Sequence, residues 1–244
     1  LESAQAKELL VAKHKLSETL QPVPAAKEFV QVKPEKSTVY LVDFDINQVN
    51  IMLLANDITF DKSIAPAARI YNEFYGSGLS SVVFQEIRES KALAYSSYSV
   101  YSLPSKAGRL NSVIGFVGTQ ADKLSIATST LLQLLDDMPM ATNQYNMARE
   151  AIVKVINSER ITKDQIFWTW QRNKDRGIDY DIRRDEYQAA QTMDIDAFKQ
   201  FFDQHIKGHN YTFLVLGKKS TLDMKALEKL GSVQELTLEE VFGY

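Results

Sequence analysis

The order of two periodicities constrains this chain most. Two-residue alternation in the first half gives way to long helical repeats, and one β-rich run returns near the end. Tyr98 and Val100 alternate with Ser97, Ser99 and Tyr101, and Asn111 to Thr119 is a second β-rich run. Pro104 to Gly108 between them has turn chemistry, so the two runs predict a hairpin. Upstream, Thr38 to Phe44 and Val49 to Ala55 are rich in Val, Ile, Leu and Tyr around the polar stretch Asp45 to Gln48, which predicts two strands. Residues 64 to 75 then turn helical.

Gln120 to Asp137, Asn143 to Glu159 and Asp164 to Arg176 follow as long helical patterns. The second carries Met147, Ile152, Val155 and Ile156 on its apolar side, and Gly177 stops the third. Thr192 reads as the N-cap of a helix displaying Ile195, Phe198, Phe202 and Ile206. Tyr211 to Leu216 reads as a strand ending at Gly217, and Asp223 to Leu230 as a short helix. Strands, a helical block and a return strand predict an α+β fold: a largely antiparallel sheet with helices packed on one face.

Residues 1 to 20 read as a helix from the spacing of Leu9, Ala12, Leu16 and Leu20, ended by Pro22 and Pro24. The stretch through Pro34 and Glu35 has linker composition. Residues 1–36 are therefore expected to be a helix and linker, either the tail of a preceding domain or a brace, and residues 37–244 the compact domain. Because the chain opens at Leu1 without an initiator methionine or a leader, a processed or excised piece is expected.

The balance of 45% hydrophobic and 24% charged residues over 244 positions is that of a globular chain able to bury a core. A formal charge of -3 with both signs dispersed leaves no basic footprint for nucleic acid, and no apolar run suggests a membrane span. Neither partner is expected. The absence of cysteine removes disulfides and thiolate metal sites, and is compatible with periplasm and cytoplasm alike.

One stretch carries chemistry. Gly76 to Ser81 supplies glycines and capping hydroxyls; Leu79, Val82, Val83 and Ile87 supply an apolar stripe. Arg88 falls in the last helical turn, Leu93 anchors the connection, and Tyr95 opens the following strand. A guanidinium and a phenol aimed at one surface suit gripping a peptide backbone and polarising its carbonyl. Spacing alone equally fits an arginine that complements the helix dipole and a tyrosine that packs.

The string Tyr71-Asn-Glu-Phe-Tyr-Gly-Ser-Gly-Leu-Ser-Ser-Val-Val-Phe-Gln-Glu-Ile-Arg-Glu-Ser-Lys-Ala-Leu-Ala-Tyr-Ser96 resembles the pitrilysin and insulinase family of inverted zinc metallopeptidases. The resemblance is to the C-terminal, non-zinc type of domain. Two glycines of the family's usual loop variants are replaced by Ser77 and Ala92, while the arginine-to-tyrosine spacing is intact. It implies a metallopeptidase-half-like α/β roll, facing a zinc-bearing domain of the same or a partner chain across a peptide substrate. In that arrangement Tyr95 donates a hydrogen bond to the developing oxyanion and Arg88 holds substrate backbone carbonyls.

No cofactor is expected on this chain, and zinc is expected on the partner domain. The histidines are His14, His205 and His209, and neither H-E-x-x-H nor H-x-x-E-H occurs. His205 and His209 read as surface residues at a fraying helix end. Phe167, Trp168 and Trp170 with Arg172 read as a peptide-stacking patch, or as filling for a core or domain interface. Asp179 to Glu186 reads as a solvated turn and helix start. The rival to a peptidase domain is a non-catalytic homologue acting as a scaffold or peptide-binding subunit. A third reading is a stand-alone peptide-binding module.

Overall fold

The computed structural model describes residues 2–14, 19, 21–25, 27, 29–76 and 78–243. The chain divides into two compact units, Leu1–Val30 and Gln31–Tyr244. In the first, helix α1 (Ser3–Lys13) buries no residue and exposes Leu9, Leu10 and Val11, contrary to a stripe built on Leu9 and Ala12. Leu16 and Leu20 of that expected stripe lie outside the described residues, as does Ser77.

In the second unit the strands are β1 (Thr38–Asp43), β2 (Val49–Thr59), β3 (Ser96–Ser102), β4 (Leu110–Thr119), β5 (Thr212–Gly217) and β6 (Ser232–Glu235). They form one sheet in the order β3–β4–β2–β5–β1–β6. The β3–β4, β4–β2 and β2–β5 pairings are antiparallel, whereas β5–β1 and β1–β6 are parallel. The return strand β5 is thus inserted between the two strands that open the domain. β6 was not expected: its four residues carry no clear alternation, and β1 is the one strand it pairs with.

The helices are α2 (Ala65–Tyr71), α3 (Val82–Phe84), α4 (Leu124–Asp136), α5 (Thr142–Ser158), α6 (Lys163–Asp175), α7 (Arg183–Thr192), α8 (Ile195–His205), α9 (Met224–Glu228) and α10 (Leu238–Phe242). α2 runs on as a π-helical turn at Asn72–Gly76, and α3 as another at Gln85–Ser90. Among the described residues no helix is long and apolar enough to cross a membrane.

Local chemistry explains where the pattern misleads. Leu79 is exposed because it lies in the turn ahead of the Ser81 cap, before any helical face exists. On α5 the buried stripe is Tyr145, Ala148 and Ile152, which turns Met147 and Val155 outward. Thr192 ends α7, its hydroxyl donating back to the Gln188 carbonyl at 2.9 Å. Asp194 caps α8 instead, accepting from the Ala197 N–H at 2.8 Å with a full charge at the positive end of the helix. Gly177, at φ +75°, closes α6 as expected.

Side chains alternate across the central strands of the sheet. Val49, Ile51, Leu53 and Ala55 of β2 are buried, with Val113 and Val117 of β4 and Phe213 and Val215 of β5 on the same face. Against that face the helices pack an aromatic cluster: Phe74 lies 5.3 Å from Tyr145 and 5.7 Å from Phe198, and Tyr75 lies 5.3 Å from Phe202. Each such pair contributes about 0.5–1.5 kcal/mol beyond burial. The α2 extension meets β3 closely: a Cβ on Gly76 would lie 1.8 Å from the Ser99 carbonyl oxygen, so only glycine fits there.

The other sheet face is also apolar. Tyr98, Phe116, Met52, Leu214 and Tyr40 are successive cross-strand partners from β3 to β1. Val100, Ile114 and Leu54 form a second row beside them. Met52, Leu54 and Leu214 are exposed.

Candidate functional site

The helix-to-strand junction is built from its cap upward. Ser81 Oγ accepts from the Phe84 N–H at 3.3 Å, and Val82, Val83 and Ile87 drop into the core, fixing the rotation of α3 and its π-helical extension. The extension closes with Ala92 N–H donating to the Arg88 carbonyl at 3.1 Å and Leu93 N–H to the Ile87 carbonyl at 2.8 Å. This is the Schellman pattern widened by one residue, as a π-helical turn requires. Ala92 takes the left-handed conformation, φ 48°, that a glycine adopts without strain. Leu93 is buried beneath, and Thr119 Oγ1 donates to its carbonyl at 2.5 Å.

That turn brings Arg88 and Tyr95 together. The Arg88 guanidinium carbon lies 4.9 Å from the Phe84 ring centre and 5.1 Å from that of Tyr95, two cation–π contacts that hold it at the junction. Tyr95 itself is 70% exposed, with its backbone N–H held by the Gly118 carbonyl at 3.0 Å. Among the described residues no hydrogen bond engages its hydroxyl. Both side chains line a cavity of about 340 Å³ whose polar wall also includes Gln48, Thr119, Gln120 and Lys123. Those four were not singled out from sequence, although one signal was available. The hairpin register that pairs Ser96 with Gly118 sets Thr119 beside Tyr95, and the residues after β4 follow it there.

Other candidates separate from this site. His205 is mostly buried, not a surface residue. Its Nδ1 lies 2.8 Å from Asp57 Oδ2, which also accepts from the Tyr101 hydroxyl at 2.6 Å. The reason is position: α8 packs its end against the β2 and β3 strands that carry Asp57 and Tyr101. Burial and the Asp57 carboxylate push the Tyr101 phenol well above its ordinary pKa. His209 places Nε2 2.9 Å from the His205 carbonyl oxygen. Among the described residues no group of three or more His, Asp or Glu side chains stands ready for a metal ion, so this set does not fit zinc. Phe167, Trp168 and Trp170 are exposed on α6, which buries nothing, so they do not fill the core. Lys174 stacks on Trp170 at 4.6 Å.

No protein-family model matches the sequence, and no curated protein does. Solved structures do. A peptidase M16 inactive domain from Pseudomonas fluorescens aligns with TM-score 0.65 at 17% identity, covering 80% of this chain and 47% of that one. A protease from Helicobacter pylori aligns with TM-score 0.63 at 16% identity, covering 89% of this chain and 53% of that one. The periplasmic protease PqqL from Escherichia coli aligns with TM-score 0.58 at 15% identity, covering 89% and 24%. The chain therefore has the fold of an M16 peptidase domain, and spans about half the length of the first two structures it matches.

Proposed function

We propose that this chain is the non-zinc half of a zinc metallopeptidase, contributing peptide contacts and a transition-state hydrogen bond to a zinc site held by another domain or chain. The meeting of Arg88 and Tyr95 at one cavity carries this reading, with the phenol open to solvent instead of packed. The guanidinium, held near two rings, donates to backbone carbonyls of an extended peptide. The Tyr95 hydroxyl donates to the scissile carbonyl oxygen as it gains negative charge, in a position prepared before substrate arrives. The apolar second face of the sheet supports a covering partner, and we assign that cover to the zinc-bearing half.

The test is kinetic. In the complete enzyme, Tyr95→Phe lowers kcat by about 10²–10³ with KM spared, because the lost donor acts only in the transition state. Arg88→Ala raises KM by about tenfold or more, the worth of a charge-assisted hydrogen bond. Wild-type turnover in Tyr95→Phe refutes the role given to the phenol, and an unchanged KM in Arg88→Ala refutes the grip.

A further inference from the structure

Building on that reading, we propose that the cavity beside Tyr95 is an anion subsite that takes a carboxylate of the peptide substrate. Its lining holds two cations, Arg88 and Lys123, and no carboxylate. Glu89 pairs with Arg88 Nε at 3.6 Å, a long and solvent-exposed ion pair whose carboxylate lies outside the lining, and among the described residues no ion pair engages Lys123. Lys123 Nζ donates to the Ala92 carbonyl at 3.2 Å, which pins the ammonium to the cavity wall and leaves two of its three donors uncommitted.

Lys123 is half-buried, and it ends the short 3-10 turn Ala121–Lys123 that leads into α4, so the positive end of a 13-residue helix lies at the same wall. Gln48, Thr119 and Gln120 add neutral polar groups around the two charges. A volume of about 340 Å³ admits a carboxylate-bearing side chain or a chain terminus with attendant water. A half-buried pair of cations whose one carboxylate contact is long and solvent-exposed favours an anion over an isosteric amide. Lys123 is on this account a specificity-determining residue, next to the groups that grip the backbone.

Two sources supply the carboxylate, a glutamate or aspartate side chain and a free C-terminus. Fluorescein-labelled, otherwise neutral peptides distinguish them in an anisotropy titration on the full-length protein. One arm walks a single glutamate along a C-terminally amidated peptide, a second carries glutamine throughout with the amide, and a third carries glutamine with a free C-terminus. We expect the first or the third to bind at least about tenfold more tightly than the second, the arm that gains naming the source.

Lys123→Gln should bring that preference to within about twofold, Lys123→Arg should preserve it, and raising the salt should shrink it. Thermal melting of both variants separates a lost subsite from a lost fold. Equal binding in all arms, or full preference surviving in a folded Lys123→Gln protein, overturns the anion subsite and leaves the peptide-gripping reading standing. Failure of every peptide to bind overturns both.

Discussion

Ala92 is the residue whose chemistry disagrees with its backbone. At φ 48° its Cβ crowds the following carbonyl, a conformation that costs a non-glycine residue roughly 1–2 kcal/mol. The turn persists because Ile87, Leu93 and Thr119 hold it from three sides. Ala92→Gly relieves the strain but adds freedom to the unfolded chain worth about 0.4–1 kcal/mol. The net expectation is a gain of up to about 1 kcal/mol in chemical denaturation, with Arg88 and Tyr95 left in place. A loss of stability shows that alanine relaxes into another conformation in solution. Spacing alone showed where Arg88 and Tyr95 fall on the junction, yet not that they touch. Their contact depends on a left-handed turn that an alanine does not announce. Lys123 was hidden for a different reason, since it arrives through strand pairing and not through neighbourhood in sequence.

At the scale of elements, α7 illustrates how burial of a charge is managed. Desolvation lifts the Glu186 carboxyl above its ordinary value of 4.5, with Asp181 and Glu159 adding to the rise and Arg69 and Arg176 opposing it. The folded state then holds this proton more tightly than the unfolded chain does. Its contribution to stability is fully present below the unfolded value and is lost as pH rises through the higher folded one. Glu186→Gln should therefore raise the denaturation midpoint near neutral pH and flatten its decline as pH rises above the ordinary glutamate value of 4.5. A midpoint that falls in the variant shows that the attraction of the Arg69 charge outweighs desolvation. Elements with strong local periodicity, such as the β3–β4 hairpin and α8, were legible from sequence. The insertion of β5 between β1 and β2, the four-residue β6 and the short α10 were not, because partners distant in sequence hold them or they are too brief to show a period.

At the scale of the whole domain, a sheet with two apolar faces poses a problem that one helical layer answers only by half. Antiparallel sheets with a solvated face ordinarily present polar side chains there. Here Tyr98 stacks on Phe116 at 5.2 Å, and Met52, Leu214 and Tyr40 continue the row across β2, β5 and β1. If the zinc-bearing half covers this face, exposed side chains in this chain become buried in the complete enzyme, at about 25 cal/mol per Å² of apolar surface removed from water. Paired substitutions Met52→Ser and Leu214→Ser should then leave this domain's own melting nearly unchanged, within about 0.5 kcal/mol per surface site. The same changes should weaken association with the zinc half by at least about tenfold or, where the halves share one polypeptide, lower the melting temperature of the full-length protein. Gel filtration and differential scanning calorimetry read the two cases. Intact assembly and unchanged melting in the complete enzyme would mean that something other than the zinc half protects this face, and its assignment as the surface that meets the zinc-bearing half would fall.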